Sequence, residues 1–208
     1  MKIYEPPAEP QERLSVIALT GRARAGKDSV AGILAERGYR RIGLADVLRE
    51  TFVGMDGPTW ELSKELESAG TTRRKSLQLY GTECRDVLAR NLLWVDALLV
   101  KIIYLSRFHP VPRFKFVIPD LRYGYEAGGL GDAIRAWGGE YQLWRVRRPG
   151  QTLIAESGHS SELEVDSMPV DATIANNGNL GDLRDKVIRK LESPDQCQRH
   201  VSDEKSVN

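Results

Sequence analysis

A short apolar run, Leu14-Ser15-Val16-Ile17-Ala18-Leu19, feeds directly into Gly21-x-x-x-x-Gly26-Lys27, and a helical pattern follows. Few arrangements satisfy that order. The glycines let the backbone turn tightly and aim its N–H groups inward, which makes a cradle for an anion. A helix starting near Lys27 adds the positive end of its dipole. Lys27 adds a mobile ammonium suited to the β- and γ-phosphates of a nucleotide. The strict pattern has Ser or Thr directly after the lysine; here Asp28 takes that place and Ser29 follows it. The competing explanation is a glycine-containing strand-to-helix turn with an exposed lysine. Val30, Ile33 and Leu34 continue at helical spacing behind a buried strand, and that favours a phosphate site.

The 208 residues suit one α/β domain with an ample core. A net charge of +1 gives no footprint for nucleic acid, so local basic clusters read as anion sites. Cys84 and Cys197 lie far apart, fit no metal or redox spacing, and read as free thiols of a reducing, cytoplasmic compartment. No apolar run reaches membrane length, and no membrane partner is expected. Residues 1–13, with three prolines, and 193–208, polar and aperiodic, read as disordered arms around a domain over 14–192.

Strand and helix patterns alternate along that domain. Strands are expected at 14–19, 39–43, 114–118, 141–146 and 172–175, and helices at 27 onward, 45–52, 60–67, 75–90, 94–107 and 179–192. The stretch 123–137 reads as a weak helix because it holds Gly124, Gly128, Gly129 and Gly131. Residues 147–169 form a long connection without period. Leu77, Cys84 and Leu88 are expected on one buried face, and Leu180, Leu183, Val187 and Leu191 on another. Strands separated by helices predict a parallel sheet covered on both faces, with ligands gathered at the carboxyl ends of its strands.

Residues just beyond each strand therefore carry the interest. Asp120 and Arg122 follow Phe116-Val117-Ile118-Pro119. Such an acid can hold Mg²⁺ through water, and such an arginine can hold a phosphate bidentately; a capping Asp and a surface Arg are the plainer alternative. Gln78, Gly81 and Arg85 fall at i, i+3 and i+7 of one helix. A small residue between a carboxamide and a guanidinium leaves room for a flat base, with Arg85 on its phosphate; a solvated polar face would look the same. Arg145, Arg147 and Arg148 open the long connection, where a mobile segment can close over a polyphosphate, although such runs are commonly solvated loops. His159 reads as a surface residue, with Glu162 a better candidate. Asn177-Gly178 can be turn chemistry or can set backbone groups beside an adenine.

No Asp-x-x-Gly or Asn-Lys-x-Asp pattern occurs, which argues against a GTPase. The only Asp-Glu pair, Asp203-Glu204, lies in the tail, where a motor ATPase has no use for it. The remaining set resembles the deoxynucleoside monophosphate kinases of phages and bacteria. The matching residues are Gly26-Lys27-Asp28-Ser29, Leu44-Ala45-Asp46-Val47-Leu48-Arg49, Leu77-Gln78 with Gly81-Thr82-Glu83 and Arg85, and Trp94-Val95. Ile118-Pro119-Asp120-Leu121-Arg122 with Glu126, Arg148-Pro149, His159-Ser160-Ser161-Glu162, and Asp171, Ile174 and Asn176-Asn177-Gly178 complete the order. The likeness spans about residues 14–191.

The resemblance implies a three-layer P-loop kinase fold, a helical acceptor-binding part at about 44–107 and a lid at about 147–169. It implies Mg-ATP as donor and a deoxynucleoside monophosphate (dNMP) as acceptor. Gly21, Ala23, Ala25, Gly26, Lys27, Asp28 and Ser29 would hold the ATP phosphates, with Asn177 and Gly178 near the adenine. Arg49, Gln78, Gly81, Arg85, Arg122 and Glu162 would serve the acceptor. Arg148 with Arg145 would belong to the lid, and Ser29 and Asp120 to the metal. Arg49 stands where the family commonly has Lys, and Pro119 stiffens the strand end, so the base accepted is open. A phosphomevalonate-kinase-like enzyme and a non-catalytic nucleotide-binding protein are the alternatives; monomer and homodimer are both compatible with the sequence.

Overall fold

In a computed structural model, which describes residues 14–56, 73–108, 114–150 and 160–193, five strands form one parallel sheet in the order β2-β3-β1-β4-β5. The strands are β1 (Ser15–Thr20), β2 (Arg40–Arg41), β3 (Lys115–Ile118), β4 (Glu140–Arg147) and β5 (Ala172–Ala175). β1 is central. It pairs with β3 from Ser15 opposite Lys115 to Ala18 opposite Ile118, and with β4 from Ser15 opposite Glu140 to Thr20 opposite Arg145. Residues 16–20 are buried without a break, as a strand covered on both faces must be.

The period of two in β1 divides the core. Ile17 and Leu19 join Val117, Trp144, Val146 and Ile174 under α1 (Lys27–Glu36) and α7 (Leu180–Glu192), which press Val30, Leu34, Leu183 and Val187 onto that face. Val16 and Ala18 face the other way, with Phe116, Ile118 and Leu143. They are covered by α2 (Leu44–Asp56), α4 (Leu93–Phe108), α5 (Gly124–Ala136) and α6 (Ser160–Ser167) through Val47, Leu98, Ile102, Leu130, Ile134 and Val165. α3 (Arg73–Val87) lies against α2. The expected three-layer α/β fold is thus present. No helix among the described residues is long and apolar enough to cross a membrane.

The departures have local causes. β2 is only two residues long. The connection 147–169 contains α6, whose two turns bury Val165, with Met168 just beyond; so short a helix shows no period in sequence. Leu88 is 55% exposed rather than inward, because α3 ends at Val87 and Ala89 turns the chain at φ 49°. Leu180 is 62% exposed because it opens α7. There Asn179 caps the helix by accepting from the Asp182 N–H at 3.0 Å, and Asp182 accepts from the Asn179 N–H at 2.9 Å. The helix expected at 60–67 and both terminal arms lie outside the described residues.

α5 forms despite its glycines because packing needs them. A Cβ on Gly131 would stand 2.9 Å from the Tyr141 ring, and one on Gly129 would stand 2.7 Å from Leu92. Gly128 faces open space, with nothing within 4 Å. Opposite outcomes follow for one substitution. Gly128→Ala should stabilise by about 0.5–1 kcal/mol through helix propensity alone. Gly131→Ala should destabilise by about 1–2 kcal/mol, since overpacking against a buried ring outweighs that gain. Urea unfolding of both variants reads the signs, and a stabilised Gly131→Ala protein would show that the ring yields freely.

Candidate active site

The turn from β1 into α1 is built around two glycines. Gly21 has φ 132°, and a Cβ there would overlap the Val146 carbonyl oxygen. Gly26 has φ 103° as the N-cap of α1, and a Cβ there would overlap the Asn176 side-chain amide. Only glycine takes such backbone angles at no cost in so little space. Arg24 also sits in the left-handed region, at φ 61°. Ala25 is 1% exposed, tucked into the core, and its N–H donates to the Arg22 carbonyl at 3.2 Å. Lys27 folds back over the turn, with Nζ donating to the Gly21 carbonyl at 2.5 Å and the Arg22 carbonyl at 2.9 Å. Ala23 is half-buried within the loop, and Ser29 is exposed in the first turn of α1. Asp28 is exposed too, with its carboxylate 2.6 Å from Arg41 at the sheet edge.

Beyond β3, Asp120 caps α2. Its two oxygens accept from the Leu44 N–H at 3.0 Å and the Ala45 N–H at 2.8 Å. A Cβ on Gly43 would come within 2.7 Å of that carboxylate, so glycine is needed there. Burial pushes the Asp120 pKa up, and the two N–H donors only partly oppose it. Asp46 helps start the same helix by accepting from the Gly43 N–H at 2.9 Å. Arg122 is exposed.

Arg85 reaches from α3 to the start of α5. Its Nη1 donates to the Tyr125 hydroxyl at 2.6 Å and lies 3.6 Å from Glu126, and its Cζ is 5.3 Å from the centroid of the Tyr123 ring. Tyr123 and Tyr125 stack with centroids 5.1 Å apart. Glu126 also accepts from the N–H groups of Arg122 and Tyr123, at 3.1 and 3.2 Å. The Arg85 and Glu126 side chains are 14% and 8% exposed, so this is a largely desolvated pair. Desolvation raises the Glu126 pKa, against those N–H groups and Arg85. The Tyr125 hydroxyl is pushed up to about 12, first by burial and then by Glu126.

α6 ties these parts together. Asp166 accepts from Arg22 of the turn, with Nε at 2.9 Å. Glu164 accepts from the Gly124 N–H at 2.9 Å and so caps α5. Arg145 donates through Nε to the Val165 carbonyl at 3.1 Å, and its Nη2 donates to the Met168 carbonyl. Beside α6, Arg22, Arg147, Arg148, Asp166 and Thr173 line a cleft of about 420 Å³ at the carboxyl ends of β4 and β5. Arg148 is exposed at that cleft.

The expected residues are thus divided. Lys27, the loop and Arg148 share the β1–β4–β5 side, while Asp120, Arg85 and Arg122 share the α2–α5 side. Arg49 is in neither group: it pairs with Asp46 at 2.8 Å and lines a separate groove of about 330 Å³ with Arg40, Arg41 and Lys101. Gly81 does not leave the room for a base that the sequence suggested. A Cβ there would be 3.2 Å from Leu48, and its carbonyl accepts from the Trp94 indole at 2.9 Å. The lid expectation is narrowed as well: Arg145 is committed to the C-terminal carbonyls of α6, and Val165 and Met168 lie in the core. Asn177 accepts from Lys186, and Gly178 lies in the same shallow groove as Asp182 and Arg189. The side chains of Gln78 and Glu162, and residues 151–159 with His159, lie outside the described residues. Among the described residues no three His, Cys, Asp or Glu side chains cluster to hold a metal. Glu126, Tyr125, Glu164 and Asn176 are the residues that sequence reasoning left out of the site. Of these, only Glu126 had a usable signal, three residues after Tyr123, the N-cap of α5.

No protein-family model matches the chain, and no curated protein matches it. Solved structures do. TT1252 from Thermus thermophilus superposes with a TM-score of 0.51 at 18% identity, covering 86% of this chain and 97% of that one. Dephospho-CoA kinase from Campylobacter jejuni superposes with a TM-score of 0.51 at 12% identity, covering 86% of this chain and 96% of that one. The likeness is one of fold: a parallel α/β sheet flanked by helices, spanning nearly the full length of both of those structures.

Proposed function

We propose that the chain is a cytoplasmic P-loop kinase that transfers the γ-phosphate of ATP to a deoxynucleoside monophosphate, giving the dNDP and ADP. One observation carries the reading. A glycine turn with Lys27 folded over it opens at the same edge of the sheet as a desolvated guanidinium, Arg85, held among Tyr123, Tyr125 and Glu126. The first suits a polyphosphate, and the second suits a monoester next to a flat base.

Phosphoryl transfer needs positioning and charge more than covalent help. Lys27 exchanges the Gly21 and Arg22 carbonyls for phosphate oxygens, and the N–H groups at the start of α1 hold the β-phosphate. Arg85 and Arg122 orient the acceptor phosphate, and Arg148 neutralises charge that builds on the transferred group. Mg²⁺ fits this chain as a substrate-borne ion: Ser29 is exposed beside the turn, and each Asp120 oxygen accepts a single N–H, leaving capacity for a metal-bound water. Mg²⁺ would supply charge neutralisation and in-line orientation there. Arg145 acts one step removed, by holding α6, and through it Arg22 and Gly124.

A coupled ADP-release assay with Mg-ATP across all deoxy- and ribonucleoside monophosphates tests the reaction. Turnover with one dNMP is expected, and turnover only with a non-nucleotide acid such as phosphomevalonate would overturn the acceptor. Lys27→Ala should lower kcat by about 10²-fold or more without unfolding the chain, because it removes charge rather than packing. Near-native turnover by that variant would remove the turn from catalysis.

Arg85→Lys should raise KM for the dNMP about tenfold or more and leave KM for ATP nearly unchanged. The fork that reads a phosphate is lost, while Glu126 keeps a cation opposite it. Equal rises in both Michaelis constants would take Arg85 out of the acceptor site.

A further inference from the structure

We infer that Asn176 is a positioning residue for triphosphate binding, acting through the peptide group that joins Ala25 to Gly26. The inference rests on the P-loop reading above and adds a residue to it.

Three contacts meet at this residue. Its backbone N–H donates to the Arg147 carbonyl at 2.7 Å, carrying the β4–β5 pairing one residue past the end of β5. Its Nδ2 donates to the Ala25 carbonyl at 2.9 Å. The same amide fills the space that a Cβ on Gly26 would need.

The covalent geometry of the peptide turns these contacts into a consequence. In a trans peptide the C=O and the following N–H point in opposite directions. An amide that holds the Ala25 carbonyl therefore aims the Gly26 N–H away from Asn176. That N–H is one of the donors such a turn offers to a phosphate oxygen. Gly26, at φ 103° and with no Cβ, leaves that peptide free to rotate. Left alone, the Ala25–Gly26 peptide could turn its carbonyl, a repulsive acceptor, toward the anion. Ala25 is 1% exposed, so its carbonyl has little access to water as a substitute partner. Asn176 removes that option, and it does so from a strand whose own backbone is fixed to β4. Its grip on Arg147 also keeps the neighbouring Arg148 in register with the turn. The donor cradle is thus set by the Asn176 side chain, and the register of the arginine beside it by the Asn176 backbone.

The test separates a held peptide from a filled space. Asn176→Asp keeps the shape but sets an acceptor against the Ala25 carbonyl, and Asn176→Ser keeps a neutral, shorter side chain should the carboxylate prevent folding. Calorimetry with Mg-ATP alone, without acceptor, should show about tenfold weaker binding for either variant, from the loss of a hydrogen bond that orients a charged contact. In turnover, KM for ATP should rise by a similar factor while KM for the acceptor moves less than twofold. Folded variants that bind Mg-ATP within twofold of wild type would overturn the inference, as would equal rises in both Michaelis constants. A wild-type protein that binds Mg-ATP but transfers nothing to any dNMP overturns the proposed reaction and leaves Asn176 in place. One that binds no Mg-ATP overturns both.

Discussion

The turn after β1 has no spare volume, and most of the architecture follows from that. A side chain on Gly21 would collide with the backbone of β4, and one on Gly26 with Asn176 beyond β5. With β4 directly beside β1 and β5 directly beside β4, the turn fits only because both of these positions lack a side chain. Once β1 is central, both its faces need covers, and its alternating residues recruit α1 and α7 to one side and the larger helical layer to the other.

The larger layer is joined to the turn by charged groups rather than by apolar packing alone. α6 carries Glu164 and Asp166 two residues apart, aimed at different targets: the first N–H of α5 and the Arg22 guanidinium. Arg145 closes the arrangement by donating to carbonyls at the end of the same helix. Cations at a helix C-terminus and anions at a helix N-terminus are both favourable. A two-turn helix with little apolar surface is stabilised this way, and in return it fixes the spacing between the two halves of the candidate site.

The parts legible in the sequence were those set by local periodicity. The buried run of β1, the helix expected over 94–107, and the spacing of Gly21, Gly26 and Lys27 each follow from neighbours along the chain. What could not be read depends on neighbours across space. Gly81 and Gly131 look like openings or weak points, yet each is small because Leu48 or Tyr141 presses against it. Asn176 has no role legible in the sequence, because its partner Ala25 is 151 residues away. Arg145 and Arg148 look equivalent in a basic run, and only the position of α6 distinguishes them.

Asp120 and Glu126 show what the site asks of the fold. Both are carboxylates beside helix N-termini and both accept two backbone N–H groups, arrangements that by themselves lower a pKa. Both are nevertheless raised, because burial outweighs the donors. An acid whose folded pKa lies above its unfolded value binds its proton more tightly in the native state. Its contribution to stability is then greatest in acid and declines as pH rises from the unfolded pKa to the folded one. As the pH rises through that window, ionising these two groups weakens the fold relative to acid solution. What they provide is direction: Asp120 sets the start of α2, and Glu126 holds Arg85 against the two tyrosines. Their energetic cost is borne by the apolar layers on either side of β1, which leaves the charged groups free to be placed by chemistry rather than by stability.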